Sequence, residues 1–400
     1  MTDVLEEIPR SVMPTYARIP VAFVRGEGSY VYDSNGKRYL DGLTGIAVCG
    51  LGHAHPKVAD AIARQASTLT HTSNLYRIPG QERLANRLTQ IAGMDNVFFC
   101  NSGAEANEAT IKIARLYGHA RNVDAPHIVV ADGSFHGRTM ATLTATGNRK
   151  VQAGFEPLLG GFVRAPYNDV ESVEKIANNN KNVVAVLVEP ILGEGGIVIP
   201  NDGYLEALRD ICDRHGWLLM LDEVQTGNGR TGRYFAYQHT AIVPDVVATA
   251  KGLGNGVPIG ACLARGEAAK MLVAGTHGST FGGNFLVCAA ANAVVDELTD
   301  GGIIDRAAEL GERMLARFSE RLAGNNRVKD IRGKGLMLAV ELNEPCAELV
   351  GAAVDAGLLI NVAADTVVRL LPPLNMSDDE ADTMVDQVVD LIDAMPGYAP

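Results

Sequence analysis

At 400 residues the chain exceeds one typical core, so two domains, or one large domain with an appendage, are expected. Hydrophobic residues make up 47% and charged ones 20%, and 35 Lys and Arg against 47 Asp and Glu leave a net charge of -12, which argues against nucleic acid or an anionic membrane as a partner. The six cysteines are scattered with no CxxC, which excludes a dense disulfide framework and suits free thiols in a reducing, cytoplasmic setting.

Residues 1–10 carry Asp3, Glu6 and Glu7 and no apolar stretch, so no secretory leader is expected. Residues 29–41 hold two short β-prone runs around Asn35–Gly36, a hairpin signal. His53 and His55 form an HxH pair with no further ligand nearby, so a structural role is expected and no metal. Pro56 suits the first turn of a helix whose apolar Val58, Ile62 and Ala66 recur at i+4. Short apolar runs then alternate with helical patterns: Asn96–Cys100, His127–Ala131, Val183–Val188, 217–221, Val246–Thr249 and 259–264. Residues 202–215 read as a helix with apolar Leu205, Leu208, Ile211 and Cys212, stopped by Gly216. No apolar run reaches membrane-spanning length; Val183–Val188 runs straight into Glu189.

Unbroken apolar strands between helices imply a mostly parallel sheet covered on both faces, an α/β core. Beyond about residue 284 long amphipathic helices dominate. Leu310, Met314, Phe318 and Leu322 keep an i+4 stripe, and Ser377 with Glu380 forms a capping box. The expected large domain is 54–283, with 1–53 and 284–400 together forming a smaller α+β domain.

Ligands of open α/β sheets sit beyond the carboxyl ends of the strands. Four places there carry suitable chemistry. Ser102 and Glu105 read as a capping box opening a helix to about Tyr117, with Gly103 letting an anion approach the free amides. By itself this is only a capped helix. Asp222 ends an apolar strand, where a carboxylate needs a partner such as a cationic ring nitrogen, although a strand-end Asp capping the next turn is common. Lys251 ends another strand and enters a glycine-rich loop; such lysines are usually solvated, but one in a cofactor cleft loses its proton and forms a Schiff base. Residues 278–284 form a small-residue loop with hydroxyls suited to phosphate, or a plain turn. Together these are the parts of a pyridoxal-phosphate site: a phosphate cradle, a carboxylate for a pyridinium and a lysine for an aldehyde.

The strings SGAEANE, FHGRT, VEPILGEGG, LDEVQTGNGRTG, ATAKGLGNGVPIGA and HGSTFGGN resemble, in order and spacing, the subgroup III aminotransferases of fold type I. The resemblance covers nearly the whole chain. It implies pyridoxal 5'-phosphate as cofactor and a homodimer with active sites at the subunit interface. Gly103 and Ala104 would give amides to the phosphate, and Thr280 would reach the phosphate bound by the other subunit. Phe135 and Val224 would cover the two faces of the ring. Asp222 would pair with its nitrogen, Gln225 with its phenolic oxygen, and Lys251 would be the Schiff-base lysine. Arg138 and Arg369 resemble the family's two carboxylate-binding arginines, Glu194 the glutamate that masks the second, and Ser279 lies in the loop facing the substrate.

Ornithine-using members place a Tyr where this chain has Ile46. An apolar side chain leaves a free α-amine unpaired, which points to a donor whose α-nitrogen is acylated or absent: acetylornithine, succinylornithine or 4-aminobutyrate, with 2-oxoglutarate as acceptor. The HTSNLY segment and the length favour the first two. A different class, a nicotinamide-dependent oxidoreductase, rests only on Gly227–Gly232 fitting GxGxxG. Residues 222–226 separate that pattern from the strand, and no acidic residue follows at the required distance.

Overall fold

The computed structural model describes residues 11–396. Residues 1–10, which bore on a leader, lie outside that range. Strand β1 (Phe23–Glu27) pairs antiparallel with β2 (Tyr30–Asp33), and β2 with β3 (Arg38–Asp41), so the expected hairpin forms. Its turn is shaped by the Asp33 carboxylate, which accepts the Asn35 and Lys37 amides at 2.9 Å, and by Gly36 at φ +82°.

Strands β4 (Asn96–Cys100), β5 (His127–Ala131), β6 (Phe162–Ala165), β7 (Val183–Val188), β8 (Leu218–Asp222), β9 (Val246–Thr249) and β10 (Gly260–Ala264) form one sheet in the order β4-β10-β9-β8-β7-β5-β6. The pairs β5–β6, β5–β7, β7–β8 and β8–β9 are parallel. Only β10 runs against both its neighbours, β4 and β9. The physical cause is the short link 250–259, which leaves no room for the crossover a parallel pair needs. Strand β6 escapes a reading by apolar runs because its four residues, FVRA, include Arg164 and lie at the sheet edge. Strand β8 sits one residue later than expected and takes Asp222 into the strand.

The remaining strands are β11 (Val328–Lys334), β12 (Met337–Leu342), β13 (Leu358–Leu359), β14 (Asn361–Ala363) and β15 (Val367–Leu370). They build a second sheet, β11-β12-β15-β14, while β13 pairs in parallel with β3 and joins the end of the chain to its opening hairpin. The helix Phe285–Asp300 packs on the helices Pro56–Ala66 and Pro79–Ala92. Of the stripe in Pro56–Ala66, Val58 is buried while Ala66 faces solvent.

Helix ends follow local chemistry. The helix Tyr204–His215 starts two residues later than expected because Gly203 caps it at φ +84°, and it stops at Gly216, φ +65°. Leu310, Met314 and Phe318 bury the inner stripe of Ile303–Arg321. The capping box of Ser377 and Glu380 opens Asp378–Asp393. Arg313 and Arg317 on the first of these helices pair with Asp382 and Asp386 on the second, each at 2.6 Å. Such exposed pairs, screened by solvent, contribute little individually. Among the described residues no helix is long and apolar enough to cross a membrane.

Candidate active site

The carboxyl ends of β5, β7, β8 and β9 lie along one edge of the sheet because these strands are parallel. There they meet the N-terminus of the helix Gly103–Ala120 around a cavity of about 390 Å³. Of the residues expected at a site, Gly103, Ala104, Phe135, Arg138, Glu194, Asp222, Val224, Gln225 and Lys251 line it. Arg369 stands behind it, joined through Glu194. Ile46, Ser279 and Thr280 are not among its lining residues.

Lys251 lies one residue beyond the end of β9, after Ala250, at φ +42°. Burial lowers its pKa and the Arg369 charge adds to that, while the charges of Glu194, Asp222 and Glu189 partly oppose the shift. A larger share of neutral, nucleophilic amine follows.

Asp222, 3% exposed, ends β8. Its Oδ2 accepts Asn107 Nδ2 and pairs with His136 Nδ1, both at 2.7 Å, and its Oδ1 accepts the Val224 amide at 3.0 Å. The strand-end Asp therefore caps the next turn and also anchors a polar network. Glu189 follows β7 in the same way. It accepts the Phe135 amide at 2.8 Å and the Gly193 amide at 3.0 Å. Burial and the neighbouring Asp222 charge push its carboxyl well above the usual range.

At the helix N-terminus Ser102 Oγ accepts the Glu105 amide at 3.2 Å, as expected of a cap. The reciprocal half of the box is different: Glu105 Oε2 accepts from Asn101, through its backbone N at 2.9 Å and its Nδ2 at 2.8 Å. The carboxylate reaches one residue further back because Asn101 offers two donors together. The helix also runs on to Ala120. The first amide bonded within the helix is that of Ala106, to Ser102 O at 3.0 Å, so the Gly103 and Ala104 amides precede the helical ladder. A Cβ at Gly103 would lie 2.6 Å from Val224 Cγ1, which is why only glycine fits there.

Arg369, on β15 and 1% exposed, donates through Nη1 to Glu194 Oε1 at 2.7 Å and to Gly193 O at 3.2 Å. Burial alone would raise the Glu194 carboxyl, but the charge and hydrogen bond of Arg369 outweigh it and hold the pKa low. Arg138 is exposed, its guanidinium carbon 5.7 Å from the centre of the Phe135 ring. Ser279 Oγ accepts Asn101 Nδ2 at 3.1 Å, tying the 278–284 loop to the helix start. Thr280, in that loop, is exposed.

Ile46 lies in an unusual segment. Thr44, Gly45, Ile46 and Ala47 have φ of +52°, +66°, +68° and +60°, one turn of left-handed helix. Asp41 Oδ1 holds its start through the Leu43 amide at 2.9 Å and the Thr44 amide at 2.8 Å, and Thr44 Oγ1 donates to Leu371 O at 2.7 Å. The turn delivers Val48 to the cavity.

His53 Nε2 pairs with Asp41 Oδ2 at 2.8 Å, and hydrogen bonds to Asp41 and Cys49 raise its pKa to about 9. His55 faces Glu297 at 3.6 Å, so the two imidazoles turn to different carboxylates. The Gly227–Gly232 pattern opens no helix. Its Arg230 is buried and donates to Leu336 O at 3.0 Å, and the next helical turn is Ala236–His239.

Three polar residues of the cavity, Asn107, His136 and Glu189, have no role that the sequence alone assigns. All three lie within motifs that carry the resemblance, SGAEANE, FHGRT and VEPILGEGG, and Glu189 is also the polar residue directly after an apolar run. Asn107 Oδ1, His136 Nε2 and Gln225 Oε1 are buried in the cavity wall with no partner among the described residues. Unsatisfied polar atoms beside a helix N-terminus, a strand-end carboxylate and a desolvated lysine fit an occupant with an anionic group, a protonated ring nitrogen and an electrophilic carbon, as pyridoxal phosphate has.

A family model described as aminotransferase class-III matches residues 12–392. The chain is 57% identical over 381 residues to the acetylornithine aminotransferase of Nitrosomonas europaea, across 95% of this chain and 97% of that protein. It is 45% identical over 372 residues to the acetylornithine aminotransferase of Methanocaldococcus jannaschii, across 93% of each. Similar solved structures include an ornithine aminotransferase from Toxoplasma gondii, with a TM-score of 0.93 and 34% identity over 96% of this chain and 93% of that one. The acetylornithine aminotransferase from Elizabethkingia anophelis gives a TM-score of 0.85 and 33% identity over 95% of each chain. With the fold, the cavity and these likenesses in agreement, the chain belongs to the class-III aminotransferases, enzymes of the pyridoxal-phosphate-dependent fold type I that exchange amino groups between an amino acid and a keto acid.

Proposed function

We propose that this protein moves the terminal (δ) amino group of N-acetylornithine to 2-oxoglutarate, giving N-acetylglutamate semialdehyde and glutamate in two half-reactions that share one cavity. The observation that carries the reading is the Arg369–Glu194 pair, 2.7 Å apart, beside a cavity that exposed Arg138 also lines. Two arginines, one of them covered by a carboxylate, suit a site that must take two different carboxylic acids in turn.

Bound pyridoxal phosphate supplies an electron sink for the carbon that loses or gains nitrogen. The chain's residues do the rest. The Gly103 and Ala104 amides hold the phosphate at a helix N-terminus. Asp222 would keep the ring nitrogen protonated, and Asn107 and His136 fix its carboxylate. Phe135 and Val224 would cover the ring faces, and Gln225 would serve the phenolic oxygen. Lys251 would hold the cofactor and, as a neutral amine, would move the proton to and from the substrate carbon that carries nitrogen. Arg138 and Ser279 take the donor's far end. Arg369 takes the keto acid's α-carboxylate once Glu194 turns away, which its partly exposed side chain allows.

Apolar Ile46 is itself outside the lining, but it lies two residues before Val48, which lines the cavity, and it supports the choice of donor. A charged α-ammonium beside it loses hydration without gaining a partner, whereas an amide is more cheaply desolvated. Acetylornithine is expected to exceed ornithine by roughly tenfold to a thousandfold in kcat/KM, about 1.4–4 kcal/mol. A panel of acetylornithine, succinylornithine, ornithine and 4-aminobutyrate against 2-oxoglutarate tests this, and Ile46→Tyr should narrow the gap. Equal use of ornithine overturns the reading.

The working unit is a homodimer in which Thr280 serves the neighbouring subunit's cofactor. In support, exposed Leu75, Tyr76 and Phe281 lie about the 278–284 loop, which Asn74 Nδ2 contacts at Gly282 O, 2.9 Å. Dilution is then expected to inactivate the enzyme in step with dissociation in sedimentation; a fully active monomer contradicts it. All six cysteines are free, in keeping with a cytoplasmic enzyme.

A further inference from the structure

Arg369 carries five N–H donors, and their partners are unevenly placed. Asn361 Oδ1 accepts two of them, Nε at 3.1 Å and Nη2 at 2.8 Å. Asn361 is directly opposite Arg369 in the β14–β15 ladder, so its position is set by backbone pairing. A guanidinium has no acceptor, so only the amide oxygen of Asn361 can face it. The other end, Nη1, holds Glu194 and Gly193 O.

We propose that Asn361 is a specificity-determining positioning residue: it occupies the Nε–Nη2 side of Arg369, so that an incoming carboxylate must bind end-on at Nη1 and Nη2, where it competes with Glu194. This rests on the reading that Arg369 receives the keto acid's carboxylate. Asparagine suits the task because it is neutral. It fills one side of the fork without neutralising it, and a nearly fully buried Arg369 keeps its charge for one carboxylate at a time. Glu194 fills that place in one half-reaction and the substrate in the other.

The holoenzyme tests this with two variants. Asn361→Asp adds a permanent counter-charge. Glutarate, a dicarboxylate that cannot react, is expected to bind at least tenfold more weakly by calorimetry, and KM for 2-oxoglutarate to rise at least fivefold more than KM for acetylornithine. Asn361→Ala opens the side of the fork without adding charge. Glutarate should still bind within about threefold, while kcat with 2-oxoglutarate falls at least fivefold because the carboxylate is no longer confined to one end. If the Asp variant does not fold, the Ala variant decides. Arg369→Gln is the control. If it weakens glutarate while both folded Asn361 variants leave binding and kcat within twofold, the role of Asn361 is overturned. If Arg369→Gln itself leaves glutarate binding unchanged, the underlying reading of Arg369 falls instead.

Discussion

Lys251→Ala is expected to leave a folded protein with no measurable amino transfer. On the proposed reading the residue supplies both the covalent hold on the cofactor and the proton shuttle, and among the described residues no second lysine lines the cavity to replace it. Losing both roles costs several orders of magnitude, at about 1.4 kcal/mol of barrier for each tenfold. The fold should be indifferent or slightly more stable, because the substitution removes an amine whose burial opposes its charge. Thermal melting should therefore match the wild type while turnover disappears. In the wild type, borohydride reduction should fix the cofactor to the peptide containing Lys251, read by mass spectrometry. Turnover in the variant above about one thousandth of wild type would remove Lys251 from the mechanism.

Asp222→Ala has the second largest expected effect, and two consequences must be kept apart. Without the carboxylate the ring nitrogen loses its partner, and an unprotonated ring accepts electrons poorly. Asn107 Nδ2 and His136 Nδ1 also lose their acceptor, leaving buried donors unpaired at about 1–3 kcal/mol each. Asp222→Asn separates the two, since it keeps the shape and an acceptor oxygen but not the charge. Both variants should lose at least a hundredfold in kcat, with the Ala variant alone losing several degrees in melting temperature. A fall of less than about tenfold in the Asn variant would show that the charge of Asp222 is not what the ring needs.

Much of this site was legible because catalytic residues at strand ends interrupt apolar runs. Asp222 and Lys251 follow four or more buried residues and stand out by composition alone. Glu189 obeys the same rule but is followed by Pro190 and carries no obvious task, so only its contacts reveal that it ties the Phe135 loop to the Gly193 segment. Asn107 and His136 act through a partner 115 and 86 residues away, a relation no local pattern contains. Antiparallel β10 was legible in principle, from the shortness of the link before it. Strand β6 was not: an edge strand with a charged residue makes too few buried contacts to leave an apolar signature. Asn361 is the extreme case, since a lone Asn in an apolar segment acquires meaning only from the strand register that sets it against Arg369.

The left-handed turn at residues 44–47 decides which changes this part of the enzyme can accept. For an L-residue that handedness costs roughly 1–2 kcal/mol, and only Gly45 escapes the charge. At the other three positions tolerance is set by the backbone first and by the side chain second. Isoleucine is β-branched and among the costliest residues at a positive φ, so Ile46→Tyr adds a hydroxyl and also eases the backbone, and Ile46→Phe is the control that separates the two. Glycine or asparagine there would relax the turn, and with it the placement of Val48. A library meant to broaden the donor range would therefore sample unbranched aliphatic and aromatic residues at 46 at nearly constant backbone cost, while any hit that introduced glycine would have altered the scaffold as well as the pocket.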